Sequence, residues 1–589
     1  MDRNFLLAFL LSTLAIFGYY TFFPPDGPKT ENEQKIESVQ TAETGEEIQS
    51  VKTIAEPESQ EPMVGGSESL PRKNVKIDSD LYSIEIDSQN GSLSSFILNK
   101  YKYSTESHFS VTKFFFSLFS GKEEEQVPYD PNRMVNMAGD VSEKNSIWKL
   151  QLGPEESNVN YQVSAEKINV TSFPETLELK TKLASGLEIR KILTFHPDSY
   201  KIDMEIKAVN RTGVEQTINP RINFGAGGEA ITGETLPQPK VAVTFIDEDF
   251  EKHDGGDVEN VLSFNNSLWA GLMDKYFISI AKTVDGTLFN GTLKPMDSIL
   301  DSKSVVVPQL FYTDDPIRLE NNQEYNRKFQ LYIGPKVESR LERFDYYLPQ
   351  AMDLGWFEIL ARPLLSLLRW LQGYVVNWGI AIIILTIIVR AAMFPLAFKG
   401  MISMRKMQAL SPKITALREK YKGNKEKLNQ EIMKFYSQNK VNPMGGCLPM
   451  VLQIPIFIAL YQALLPAIEL RHTPFFLFWS DLSANDYTLI LPILMGASMF
   501  FQQSLTPTPT MDPTQAKVMK WMPVMMVLFF LNMPSGLVLY WVISNIISVG
   551  QQLIINHVLP PAQVSTDIKA KGKAKADTAK KGKGSKVKK

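Results

Sequence analysis

Trp378-Gly-Ile-Ala-Ile-Ile-Ile-Leu-Thr-Ile-Ile-Val-Arg390-Ala-Ala-Met-Phe-Pro-Leu-Ala-Phe398 decides the fold class. The run holds a single charge and, as a helix rising about 1.5 Å per residue, matches a hydrocarbon core about 30 Å thick. Lys399 follows it and marks the membrane boundary. Nine residues separate Lys399 from Arg390, or about 13 Å. The arginine therefore lies near mid-membrane, deeper than a side chain easily snorkels. Insertion scales charge about 2.5–3.5 kcal/mol for an arginine there. That cost points to a wet cavity or a partner; the plainer alternative is a structural arginine that reaches the headgroups.

Further apolar runs cover about 445–466, 487–505, 518–534 and 536–555, and residues 5–23 are almost wholly apolar. Residues 1–23 read as an uncleaved anchor. Tyr19, Tyr20, Phe22 and Phe23 form an interfacial belt, with Pro24-Pro25 where a secretory signal would carry a small-residue cleavage site. With the Arg390 helix, placed at 374–398, this makes six spans. Loop 399–444 carries eleven Lys and Arg against Glu419, Glu426 and Glu431, so the positive-inside rule makes it cytoplasmic. Threading outward from it puts both termini in the cytoplasm and the large domain between the first two spans outside.

The chain is too long for one core. Its formal net charge of -2 hides a glutamate-rich segment at 24–72 and a lysine-rich tail at 556–589. The former has almost no aromatics and reads as a disordered acidic tether. Period-two patterning then runs from 73 to 345: Tyr82, Ile84 and Ile86; Leu177, Leu179, Thr181 and Leu183; Tyr200, Ile202, Met204, Ile206 and Ala208. Asn90-Gly91, Ser185-Gly186 and Asn290-Gly291 read as turns. A large antiparallel β-sandwich of two packed sheets is predicted. A domain of this kind suits sugar binding or isomerisation, but no motif surrounds His196 or His253, which read as satisfied or exposed histidines. The Phe114-Phe115-Phe116 cluster has no assignment. Residues 356–371 read as an amphipathic helix on the membrane surface, with Trp356, Ile359, Leu360, Pro363, Leu364, Leu367 and Leu371 on one face and Arg362 and Arg369 elsewhere. One cysteine excludes an internal disulfide, and five histidines without metal-ligand spacing argue against a metal site.

Polar residues recur inside the spans. Thr386 lies four residues before Arg390, and Trp541, Asn545, Ser548 and Gln552 form a stripe on the last helix. Gln453, Gln502 and Gln503 add amides on other spans, whereas no carboxylate lies deep in any of them. These groups either converge on Arg390 in a wet site or act as interhelical glue. In loop 399–444, Ser411 and Pro412 read as a helix start and Gly423-Asn424 as a turn. The result is a basic helical hairpin carrying Arg405, Lys413, Arg418, Lys420 and Lys425. It is either simply solvated or faces anionic headgroups or ribosomal RNA. The tail suits phosphate contact without sequence readout, so no sequence-specific nucleic acid is expected.

Asn442-Pro-Met-Gly-Gly-Cys-Leu-Pro449, then Gln453-Ile-Pro-Ile-Phe457, Leu491-Pro-Ile-Leu-Met-Gly496 and Pro534-Ser-Gly-Leu-Val-Leu-Tyr540, resemble the signature of the YidC membrane-protein insertases. The order of anchor, β domain and five further spans resembles the Gram-negative members, and places the β domain in the periplasm. The resemblance implies a membrane insertase and chaperone without enzymatic activity or cofactor. It implies a groove open to cytoplasm and lipid, centred on Arg390, in which Thr386 and the aromatic at position 541 meet the incoming segment; Gln453, Asn545 and Ser548, the polar groups read above, are expected around it. Trp541 stands where the family usually has tyrosine. A hydrophobic slide is implied at Phe457 and Phe529, with Ile454 and Met525 beside them. The implied partners are newly made membrane proteins, a Sec-type translocon, membrane lipid, and the ribosome through tail and hairpin; the core reads as monomeric. Two rivals remain. An anion transporter using Arg390 would need internal repeats, which are not seen. An intramembrane protease would use Ser535-Gly536, but no histidine lies at membrane depth.

Overall fold

Alternation of apolar and polar residues becomes a sheet where one face can be buried, and the strand Lys201–Asn210 shows this directly. Ile202, Met204, Ile206 and Ala208 are buried, while Lys201, Asp203, Glu205 and Lys207 are only half-buried. The strand pairs antiparallel with Leu187–Phe195 on one side and Glu324–Pro335 on the other. The computed structural model describes residues 70–103, 133–139, 146–153, 158–226 and 240–558, with breaks at 256, 259, 285–286, 301–302, 440, 442–447, 477–478 and 506–512. The expected anchor, nearly all of the tether, the Phe114 cluster, part of the Asn442–Pro449 motif and the lysine tail lie outside them.

Among the described residues the strands form a thirteen-stranded sheet, a five-stranded sheet and a two-stranded ribbon, rather than two sheets of a simple sandwich. The strand Asn74–Ser79 runs parallel to Lys167–Val170, which departs from an all-antiparallel reading. One hydrophobic core joins the larger sheets: Tyr82 of the smaller donates through its hydroxyl to His196 O at 3.0 Å. Lys191 crosses the same core. It is fully buried, and its Nζ donates to Gly91 O at 2.8 Å and Trp148 O at 2.6 Å.

Asn90-Gly91 lies in the left-handed region and makes the tight turn its sequence predicts. Asn290-Gly291 does not turn; it lies inside the strand Phe289–Leu300. A Cβ on Gly291 would stand 2.6 Å from Phe264 Cζ and from Phe311 O, so close packing rather than a turn requires the glycine.

Beyond the sheets come α1 (Glu338–Phe344), α2 (Glu358–Val375), α3 (Trp378–Lys420), α4 (Lys425–Gln438), α5 (Leu448–Leu464), α6 (Ile490–Leu505), α7 (Pro513–Phe530) and α8 (Ser535–Val558). Helix α8 packs on α3 and α6, α2 packs on α3 and α5, and α6 packs on α7. Among the described residues α3 and α8 are long and apolar enough to cross a membrane. The apolar parts of the other three, Gln453–Leu464, Ile490–Leu505 and Lys520–Phe530, are shorter than the roughly 20 residues a span needs.

Helix α3 corrects a boundary. Ser411 does not start a new helix, since α3 runs unbroken through Pro395 and Pro412 to Lys420. Proline removes one backbone donor, but Leu410 and Ile414 on either side of Pro412 are held in one small core with Tyr436 and Val441. Packing thus overrides the local signal. Asn424 does cap α4, accepting from Lys427 N at 2.9 Å.

Candidate functional site

Arg390 comes from the first third of α3 and Ser544 from α8. The Arg390 Nε donates to Ser544 Oγ at 2.7 Å. Among the described residues no carboxylate pairs with this half-buried guanidinium. One neutral hydroxyl satisfies one of five N–H donors, which leaves the charge poorly compensated. Beside it, Gln453 of α5 donates through Nε2 to the Tyr540 hydroxyl of α8 at 2.8 Å, and Gln453 Oε1 is buried without a partner. Asn545 donates through Nδ2 to Ser498 Oγ of α6 at 3.0 Å. Four helices therefore contribute to one polar layer.

The remaining expected site residues are placed as follows. Thr386 is fully buried and its hydroxyl donates to Ile382 O of its own helix at 2.6 Å. Ser548 likewise donates to Ser544 O at 2.9 Å. Trp541 leaves the polar layer for an aromatic one, with ring centroids 4.6 Å from Phe457 and 5.1 Å from Phe530. Phe529 joins through Phe530 at 5.4 Å. Phe457 is only 5% exposed, whereas Ile454 and Met525 are exposed, at 44% and 41%.

Sequence reading missed Tyr540 and Ser544. The available signal was Tyr540, Ser544 and Ser548 at spacings of four, a second stripe one residue behind that of Trp541. Tyr540 supplies a hydroxyl one residue before Trp541.

One end of the bundle is closed by the segment between α5 and α6. Ser535 donates through both N and Oγ to Ala484 O at 2.7 Å, and Gly536 N donates to Leu482 O at 2.9 Å. Ser535 is 1% exposed and its hydroxyl is engaged in this contact. Asp486 caps α6, accepting from Leu491 N at 2.7 Å and Thr488 N at 2.9 Å. Asn377 caps α3 and also donates to Phe475 O at 3.3 Å.

In the hairpin, Arg405 is not a free surface cation: its Nη1 donates to Ile555 O of α8 at 2.9 Å. Lys413 is exposed, Arg418 is half-buried, Lys420 lies over the Tyr421 ring, and Lys425 opens α4. Among the described residues no cluster of His, Cys, Asp or Glu has metal-binding geometry. In the β domain His196 meets Asp203 at 2.7 Å and His253 meets Thr244 at 3.1 Å, so each ring has a hydrogen-bond partner.

A β-rich domain joined to a group of apolar helices, two of them among the described residues long and apolar enough to cross a membrane, fits the class of a membrane protein with a large β domain. Family models agree with that class: "YidC periplasmic domain" matches residues 74–367 and "60Kd inner membrane protein" matches 370–562. The chain is 37% identical to a membrane protein insertase YidC of Syntrophus aciditrophicus, over 94% of this chain and 99% of the relative. It is 33% identical to the one of Geobacter metallireducens, over 96% and 100%. A crystal structure of an active YidC insertase with its first transmembrane domain resolved matches at 16% identity, 83% and 94% coverage and a TM-score of 0.37. The chain belongs to the YidC family of membrane protein insertases, with that family's periplasmic domain and membrane-insertase core.

Proposed function

We propose that this protein inserts and helps fold inner-membrane proteins through a hydrated groove, open to lipid, whose centre is Arg390. The observation that carries the reading is a guanidinium within an apolar helix whose bond among the described residues is to a neutral hydroxyl. A charge so placed attracts acidic or polar groups in transit and offsets part of their desolvation. Gln453, Tyr540 and Ser544 extend the polar layer, Asn545 ties α8 to α6, and Thr386 and Ser548 bond back to their own helices beside it. The client's apolar helix leaves past α5 and α7, over Ile454 and Met525, with Phe457, Phe529 and Trp541 as the aromatic backing. The energy comes from burying that helix, aided by the membrane potential at about 2.3 kcal/mol per charge per 100 mV. No enzymatic step is needed.

The surrounding organisation belongs to the same proposal. Residues 1–23 anchor the chain and 24–72 tether the periplasmic β domain of 73–345. Residues 356–371 lie on the membrane surface, a reading that the exposure of Ile359 and Trp370 supports. The span at 374–398, the hairpin at 399–444 and four spans in 445–555 complete six crossings, and 556–589 is the cytoplasmic tail. Both termini are cytoplasmic. The core acts as a monomer, alone or beside a Sec-type translocon, with tail and hairpin toward ribosome and lipid.

The test is reconstitution of the purified full chain in liposomes with a single-span client bearing an acidic flank. Protease protection of that flank, without nucleotide, is the expected result; an unprotected flank with correctly oriented protein contradicts the proposal.

A further inference from the structure

The link between the β domain and the helices converges on one carboxylate. Glu338 opens α1, directly after the last strand, and its side chain is only 16% exposed. Its Oε1 accepts from Arg362 Nη1 at 2.5 Å, and its Oε2 accepts from Arg369 Nη1. Those arginines lie seven residues apart, two turns along one face of α2. Each has a second anchor. Arg362 binds Glu358 at 2.6 Å, and Arg369 Nε donates to Glu469 Oε1 at 2.9 Å, in the segment that closes the bundle.

The connecting chain is fixed as well. Asp353 holds a left-handed conformation and meets Lys252 at 2.5 Å. Gly355, at φ 64°, lies where a Cβ would stand 2.3 Å from Gln462 Nε2 of α5. Phe357 N donates to Gln462 Oε1 at 3.2 Å. Arg471 reaches back to Tyr103 O at 2.8 Å. Helix α2 is thus gripped from the β domain on one side and packs on α3 and α5 on the other. Those two helices carry Arg390 and Gln453.

We infer that Glu338 is a positioning residue for insertion: through Arg362 and Arg369 it fixes α2, and so sets the separation of α3 and α5 around the polar layer. The inference rests on the groove proposed above. Without Glu338 each arginine keeps its other carboxylate, so α2 stays folded but loses its ion pairs to α1. A merely structural role would show as unfolding; a positioning role shows as slower insertion in a folded protein.

The experiment uses the full chain in liposomes, with Glu338→Ala, Glu338→Asp and Arg390→Ala side by side. Client insertion rate, thermal unfolding and the distance between spin labels at Phe173 and Tyr374 are read in a Cys447→Ala background. Glu338→Ala is expected to slow insertion by about fivefold or more and broaden the label distance, with unfolding unchanged; Glu338→Asp restores most of the rate. A wild-type rate for Glu338→Ala while Arg390→Ala is slow overturns the positioning role alone. Loss of rate only in step with unfolding also overturns it. An unaltered rate for Arg390→Ala overturns the groove on which the inference stands.

Discussion

Arg390 and Ser544, 154 positions apart in the chain, meet at 2.7 Å through Nε and Oγ, and this contact ties the long helix α3 to the last helix α8. A hydroxyl can accept the bond without cancelling the charge. Ser544→Asp would cancel it. The variant is expected to remain folded and to insert acidic-flanked clients as poorly as Arg390→Ala does, because the guanidinium is already engaged. Full activity in Ser544→Asp, measured by protease protection in liposomes, contradicts a role for the free charge.

Tyr540 and Gln453 supply a second prediction. Tyr540→Phe removes the acceptor of Gln453 Nε2, and Gln453 Oε1 already lacks a partner. An interhelical bond of this kind is worth about 0.6–2 kcal/mol. Thermal unfolding in detergent is expected to show a loss of that size, whereas Trp541→Phe, which preserves the aromatic layer, leaves the polar bond intact.

Lys191 gives the β domain a pH dependence. Burial without a carboxylate pushes its amine from 10.5 to about 7. Between those values the unfolded chain binds the proton and the folded one does not, so stability rises with pH through this window and is lost as pH falls through about 7. The slope contributed is at most about 1.4 kcal/mol per pH unit. Lys336, which burial lowers to about 8, adds to it over a narrower range. Hydrogen exchange of the strand Leu187–Phe195 as a function of pH is expected to lose part of its slope in Lys191→Met. An unchanged slope would show that the amine stays charged in the folded domain.

Gly291 tests the corrected strand. Gly291→Ala puts a methyl against Phe264 and the Phe311 carbonyl, and a cost of about 1–3 kcal/mol is expected. Were the residue in an open turn, the substitution would be nearly silent in the same unfolding measurement.

The comparison of sequence with structure separates along physical lines. The strands around Ile84, Leu177 and Ile202 were legible because period-two burial leaves its trace in every residue. Sheet number was not, since pairings such as Asn74–Ser79 with Lys167–Val170 join distant segments. Arg390 announced itself through the cost of its position. Its partner did not, because Ser544 is an ordinary small residue one step behind the stripe that Trp541 and Asn545 define. Pro412 misled because a local breaker signal yields to packing of Leu410 and Ile414. Arg405 looked like part of a solvated basic face until its bond to Ile555 O placed it against α8.

The central claim is that the charge of Arg390 draws acidic flanks into the groove. The most direct measurement is the ratio of insertion rates for two clients, one with an acidic flank and one with the same flank neutralised, in wild type and in Arg390→Ala. The ratio is expected to exceed one in wild type and to fall to about one or below in the variant, since only the acidic flank loses an attraction. An equal ratio in both proteins would contradict the claim and leave hydration and the apolar slide as the working parts.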